Sequence, residues 1–136
     1  FTLDRRDFST YRPAKRGRVI WGDVVPWGKV WRLGADMATH FITSVDLRIG
    51  DVDVPAGTYT LWMLPSETGD SFLIINSQTR IFGTNYNPSR DFARIPLRRH
   101  EIRQTIERLT FAVADGQLWI YWGDTGWSIA VREKAD

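Results

Sequence analysis

Residues 109–131 read LTFAVADGQLWIYWGDTGWSIAV, and this stretch decides the fold class. Leu109, Phe111 and Val113 alternate with Thr110 and Ala112, and Leu118, Ile120 and Trp122 alternate with Trp119 and Tyr121. A period of two marks a strand with one buried face. Asp115-Gly116 between the two runs signals a two-residue hairpin. It pairs 113 with 118, 111 with 120 and 109 with 122, apolar on both sides each time. A second turn is expected at Gly123-Asp124-Thr125-Gly126, pairing 122 with 127, 120 with 129 and 118 with 131. Both turns then give one apolar face, and a slip of one residue would destroy it.

The same register puts Trp119 and Tyr121 on the opposite face among Thr110, Ala112, Ser128 and Ala130. Two large rings among small neighbours have two readings. Either the N-terminal arm, a loop or a second subunit covers them, or they form an exposed aromatic platform. Amphipathic rings give such a platform a large contact area at low entropic cost.

Strands are read outward from this hairpin. Val45, Leu47 and Ile49 alternate with Asp46 and Arg48, and Gly50-Asp51 turns the chain into Val52 and Val54. Residues 58–64 and 72–76 are apolar on both faces, as central strands are, and 65–70 form a polar loop between them. Residues 18–21, 30–33, 39–43 and 92–97 are shorter candidates. The one helix candidate is 98–107, where Ile102 and Ile106 give a single weak stripe. All six prolines fall at or near strand boundaries, as the missing ladder donor requires. Nine or ten short strands with Gly and Pro turns argue for an all-β fold, an antiparallel β-sandwich or jelly roll, with a closed barrel as the alternative. The expected organisation is a charged N-terminal arm over 1–12 and a single domain over 13–136.

Composition removes whole classes of chemistry. The 136 residues include no Cys, so thiolate metal sites, iron–sulfur clusters, cysteine nucleophiles and disulfides are excluded. His40 and His100 are the only imidazoles, too few for a three-histidine metal site. A chain of this length buries roughly 65–70% of its unfolded surface and needs no staple. No stretch of about 18 apolar residues is present, so no membrane-spanning helix is expected. The start FTLDRRDF lacks the apolar centre of a signal peptide, and a mature exported chain would look the same. All but three of the 18 basic residues are Arg, which suits planar carboxylate, phosphate or aromatic contacts. The net charge is only +2, concentrated near 1–18 and 90–108, and nucleic acid is not the expected partner. The basic run Lys15-Arg16-Gly17-Arg18 reads as a solvated arm or a protected edge strand.

Three segments together resemble a known pattern. They are RPAKRGR over 12–18 leading to IWG over 20–22, VPWGKVWRLGADMAT over 25–39, and VPAGTYTL over 54–61. This resembles a bacterial family of domains of unknown function marked by RPS-x-KGR, VPYG-x-VWRTGANEAT and LPAGTYSL. The resemblance runs roughly from 10 to 131, with weaker blocks around Phe82-Gly83, Tyr86-Asn87 and 107–110. Members of that family usually begin with an export signal, so the resemblance implies a periplasmic or secreted protein. It implies no mechanism. The chain also departs from the pattern, with Ala14 for its Ser, Asp36 for its Asn and Met37 for its Glu.

The densest set of functional side chains is Trp27, Lys29, Trp31, Arg32, Asp36, Thr39 and His40. Across a tight turn Arg32 and Asp36 can form a bidentate ion pair that fixes the loop. Alternatively Arg32 binds an anion beside the two indoles, with Thr39 or His40 adding a polar contact. His40 shares a strand face with Ile42 and reads first as structural, and His100 reads as solvated. No nucleophile elbow, zinc-protease, phosphate-loop, dinucleotide or calcium-loop motif is present. No cofactor or metal is expected. Three functions follow. The first is a non-enzymatic module binding a small molecule, glycan or peptide through Trp27, Trp31, Arg32, Trp119 and Tyr121. The second is a hydrolase or lyase using Arg32, Asp36 and His40. The third is an assembly domain dimerising through the Trp119 face.

Overall fold

The computed structural model describes residues 2–4, 19–33, 39–79 and 86–134. Its strands are β1 (Thr2–Asp4), β2 (Thr39–Thr43), β3 (Leu47–Ile49), β4 (Val52–Val54), β5 (Gly57–Leu64), β6 (Ser71–Asn76), β7 (Asp91–Ala114) and β8 (Gln117–Glu133). A 3-10 turn at Pro88–Arg90 is the only helical element among the described residues. All pairings are antiparallel, in the order β1-β2-β5-β6-β7-β8-β3-β4. The fold is therefore all-β and antiparallel. The described residues hold eight strands, two of them long, beside the nine or ten short ones expected. β7 pairs with β6 through 91–97 and with β8 through 98–114, so one strand serves both halves of the sheet. Both halves turn their apolar faces to one core, where Phe41, Leu61, Leu73 and Ile95 meet Leu47, Phe111, Ile120 and Ile129.

The β7–β8 hairpin has the expected register. Val113 pairs with Leu118, Phe111 with Ile120, and Ala112 with Trp119. Asp115 at φ 53° and Gly116 at φ 73° supply the two positive φ values of a type I′ turn. Phe111 and Leu118 are buried, whereas Val113 is 54% exposed because the tip reaches past the core.

Several local expectations are overturned. Gly123–Gly126 is no hairpin, for β8 runs on through it and residues 125–128 pair with 98–101 of β7. Gly123 has φ 59°, and the register shifts opposite it. The inserted residues move the buried set from Leu118, Ile120 and Trp122 to Thr125, Trp127, Ile129 and Val131. A four-residue turn and a bulge invert the faces alike, so the alternation is compatible with both. Residues 98–107 are not a helix but the middle of β7, where pairing with β8 satisfies backbone groups on both strands. One weak stripe carries too little burial to compete. The expected strands at 18–21 and 30–33 are likewise reduced, within the described part, to single bridges, Trp21 with Val25 and Trp31 with Met63.

The loop over 19–33 closes the core with indoles. Trp21 packs on Trp27, Trp31 and Trp127 at centroid distances of 6.4, 5.7 and 5.4 Å, and Trp31 stacks on Trp122 at 6.0 Å. The Trp21 Nε1 donates to the Trp122 carbonyl at 2.8 Å. No helix among the described residues is long and apolar enough to cross a membrane.

Candidate functional site

Trp119 and Tyr121 stand on the outward face of β8, both half-buried. Their rings are 5.6 Å apart between centroids and only 3° from parallel, an offset stack worth about 0.5–1.5 kcal/mol beyond area burial. Gly126 makes room for this arrangement. A Cβ there would lie 2.9 Å from Tyr121 Cδ1 and 3.0 Å from its Cε1, so the phenol ring covers a position that only hydrogen can fill. Tyr121 and Gly126 belong to the two parts of β8 on either side of the bulge. The curl of the hairpin brings them together, and the Val131 N–H donating to the Gly116 carbonyl at 2.9 Å ties its ends.

β7 supplies the next member of the row. The His100 ring lies 4.8 Å from Trp119, and its Nε2 is 2.8 Å from the Ser128 Oγ. Ser128 is buried, and without His100 its hydroxyl would lose this partner. Burial, with the positive charge of Arg98 as a second cause, lowers the His100 pKa and favours the neutral ring. The Ser128 side chain is buried at the edge of the imidazole, and no carboxylate bonds to that ring among the described residues. The pair therefore orients Trp119 and offers no exposed nucleophile.

The Trp27 to His40 block is dispersed. Trp31 is 8% exposed and belongs to the core, which corrects its reading as a ring open to a ligand. Trp27 is half-buried beneath the Arg99 guanidinium, which lies 5.2 Å from its centroid and 5.5 Å from that of Trp127. Thr39 is buried, and its Oγ1 donates to the Leu33 carbonyl at 2.8 Å, a bond that fastens the entry to β2. Lys29 is exposed, while Arg32 is half-buried. His40 is also half-buried, and it pairs in register with Thr60 on the face away from Phe41. Asp36 lies outside the described residues, and so does the Arg32–Asp36 ion pair. Among the described residues no three His, Asp or Glu side chains gather into a metal site.

A family model described as "Protein of unknown function (DUF2911)" matches residues 7–131. The chain belongs to the DUF2911 family. No curated protein and no solved structure matches the chain. The match covers both halves of the sheet of this DUF2911 domain, including the whole aromatic row.

A second polar group in the DUF2911 domain holds the turn before β7. The Tyr86 hydroxyl donates to Asp91 at 2.6 and 2.7 Å, Arg94 Nε bonds Asp91 at 3.0 Å, and Asn76 Nδ2 bonds it at 2.9 Å. Burial, followed by the hydrogen bond to Asp91, pushes the Tyr86 phenol up to about 12. Tyr86 rests 4.7 Å from the Trp62 ring. Every group here has a protein partner, so the network serves structure. Sequence reasoning missed His100, Ser128 and Gly126 as parts of the site. The one signal for them was the run of small residues expected to face Trp119, and His100 joins only through the pairing of β7 with β8.

Proposed function

We propose that this domain is a non-enzymatic binding module of the bacterial envelope or of a secreted protein, taking a small molecule, glycan or peptide on its Trp119–Tyr121 face. The observation that carries the reading is the near-parallel, half-exposed stack of these two rings, held in place by Gly126 and by His100. Stacked rings standing off a strand offer apolar surface already ordered before a ligand arrives, which lowers the entropic cost of binding. The His100–Ser128 pair beside them supports an orienting role over catalysis, because the hydroxyl is covered. An envelope setting rests on the export signal usual in the resembling family. Immobilised glycan and peptide libraries probed with wild type, Trp119→Ala and Tyr121→Ala test the reading. Retention should be lost in both variants while folding persists, and unchanged retention in both would refute it.

A further inference from the structure

The aromatic row ends in a cation. Arg98 pairs in register with Ser128 and stands two residues before His100, so strand alternation sets Arg98, His100 and Ser128 on one face. Arg98 is exposed and makes no ion pair with any described residue. Its charge is felt at this face, since it is one of the two causes that lower the His100 pKa. At the other end Thr110 pairs with Tyr121, and the exposed Arg108 lies two residues before Thr110, whose hydroxyl donates to the Arg108 carbonyl at 2.8 Å.

No acid among the described residues forms an ion pair with Arg98 or Arg108. Glu101 follows His100 and shares the other face with Thr125, while the Asp124 carboxylate accepts the Thr125 hydroxyl at 2.9 Å. Glu107 adjoins Arg108 and offers its carbonyl to the Trp122 indole. Two flat rings therefore present apolar surface beside the exposed guanidinium of Arg98, which has no ion-pair partner among the described residues.

Building on the binding role proposed above, we infer that the ligand of this face is an acidic glycan, with a uronate ring against Trp119 and Tyr121 and its carboxylate on Arg98. The pyranose supplies apolar C–H groups to the rings. The carboxylate matches the planar guanidinium, which binds it through two parallel N–H bonds. One arginine beside the rings on this face suits one carboxylate at a time along a polymer. A nucleic acid backbone calls for a denser basic strip.

Isothermal titration of the full chain with oligogalacturonate, its fully methyl-esterified counterpart and polyglutamate tests this. The acid form should bind about tenfold or more tightly than the ester, the difference a charge-assisted pair makes. Arg98→Gln should bring the acid affinity down to that of the ester, with Arg98→Lys in between. Equal affinity for acid and ester would overturn the acidic class, and so would an acid affinity indifferent to Arg98→Gln, yet both leave the aromatic face standing as a binding site. Polyglutamate binding as well as the uronate would overturn the glycan assignment. Failure of wild type to bind any of the three would overturn the inference itself. Binding that survives Trp119→Ala would instead overturn the reading on which it rests.

Discussion

Substituting Gly126 with Ala adds one methyl group at the point where the aromatic stack is held. Its Cβ would sit 2.9 and 3.0 Å from two Tyr121 ring carbons and 3.4 Å from the Ile102 Cδ1. Carbon atoms rest at about 3.5–4.0 Å, so the ring must withdraw by roughly 0.5–1 Å. The backbone does not object, for Gly126 lies in β8 without the positive φ of Gly116 or Gly123. Replacing a compatible glycine stabilises by about 0.4–1 kcal/mol through the unfolded chain. Overpacking costs about 1–3 kcal/mol where neighbours cannot move. Tyr121 is half-exposed and can swing outward, so the two effects should nearly cancel and Tm should move by only a few degrees. The stack cannot survive that swing, because a 3° interplanar angle at 5.6 Å leaves no slack for such a shift. The near-ultraviolet circular dichroism difference spectrum should therefore resemble that of Tyr121→Leu. Gly116→Ala, where the added Cβ meets nothing within 4 Å but φ is 73°, should do the opposite. It should cost about 1 kcal/mol and leave the aromatic spectrum intact. A Gly126→Ala protein with the wild-type spectrum would refute the claim that Gly126 sets the ring positions. Outright unfolding would refute the claim that Tyr121 is free to move.

Three further outcomes are expected. Arg99→Ala removes cation–π contacts to Trp27 and Trp127 and a 3.2 Å bond to the Glu67 carbonyl, and urea titration should show a loss of about 1–2 kcal/mol. Unfolding free energy should fall with acidity because of His100. Its pKa is lowered from the ordinary 6.5, so the unfolded chain protonates first; stability is complete above that value and declines as pH drops through it toward the folded one. His100→Gln should flatten this part of the profile, and an unchanged slope would contradict the cause given. Tyr86→Phe should cost about 1–2 kcal/mol by chemical denaturation, and it should abolish a tyrosine ionisation step expected at about 12 in the wild-type absorbance titration.

The hairpin at Asp115-Gly116 was legible to the residue, since a tight turn and a period of two are both properties of adjacent residues. Strands β3 and β4 were legible for the same reason, and β5 and β6 from short runs apolar on both faces. Gly123–Gly126 was not, because a turn and a bulge move the buried side chains to the other face in the same way. Only the presence of β7 beside β8 decides between them. The weak stripe of Ile102 and Ile106 misread as a helix has the same origin, for β8 offers a long run of backbone groups that β7 satisfies. Within the site, Trp119 and Tyr121 were legible as an outward pair. His100 was not, because an imidazole in an Arg-rich strand shows no sign of the buried hydroxyl it will meet 28 residues on.

The seven tryptophans show where this division falls. By itself the sequence determined the all-β class, the absence of thiol chemistry, and the strand face of each residue within a short run. Tertiary structure alone decided that the loop indoles of Trp21 and Trp31 belong to the core. The loop over 19–33 has no period, so its burial of Trp21 and Trp31 follows from where it lands on β5 and β8. Trp119 escapes that fate because it stands on the outer face of the curled hairpin, where Gly126, His100 and Ser128 converge from parts of the chain that local alternation cannot relate.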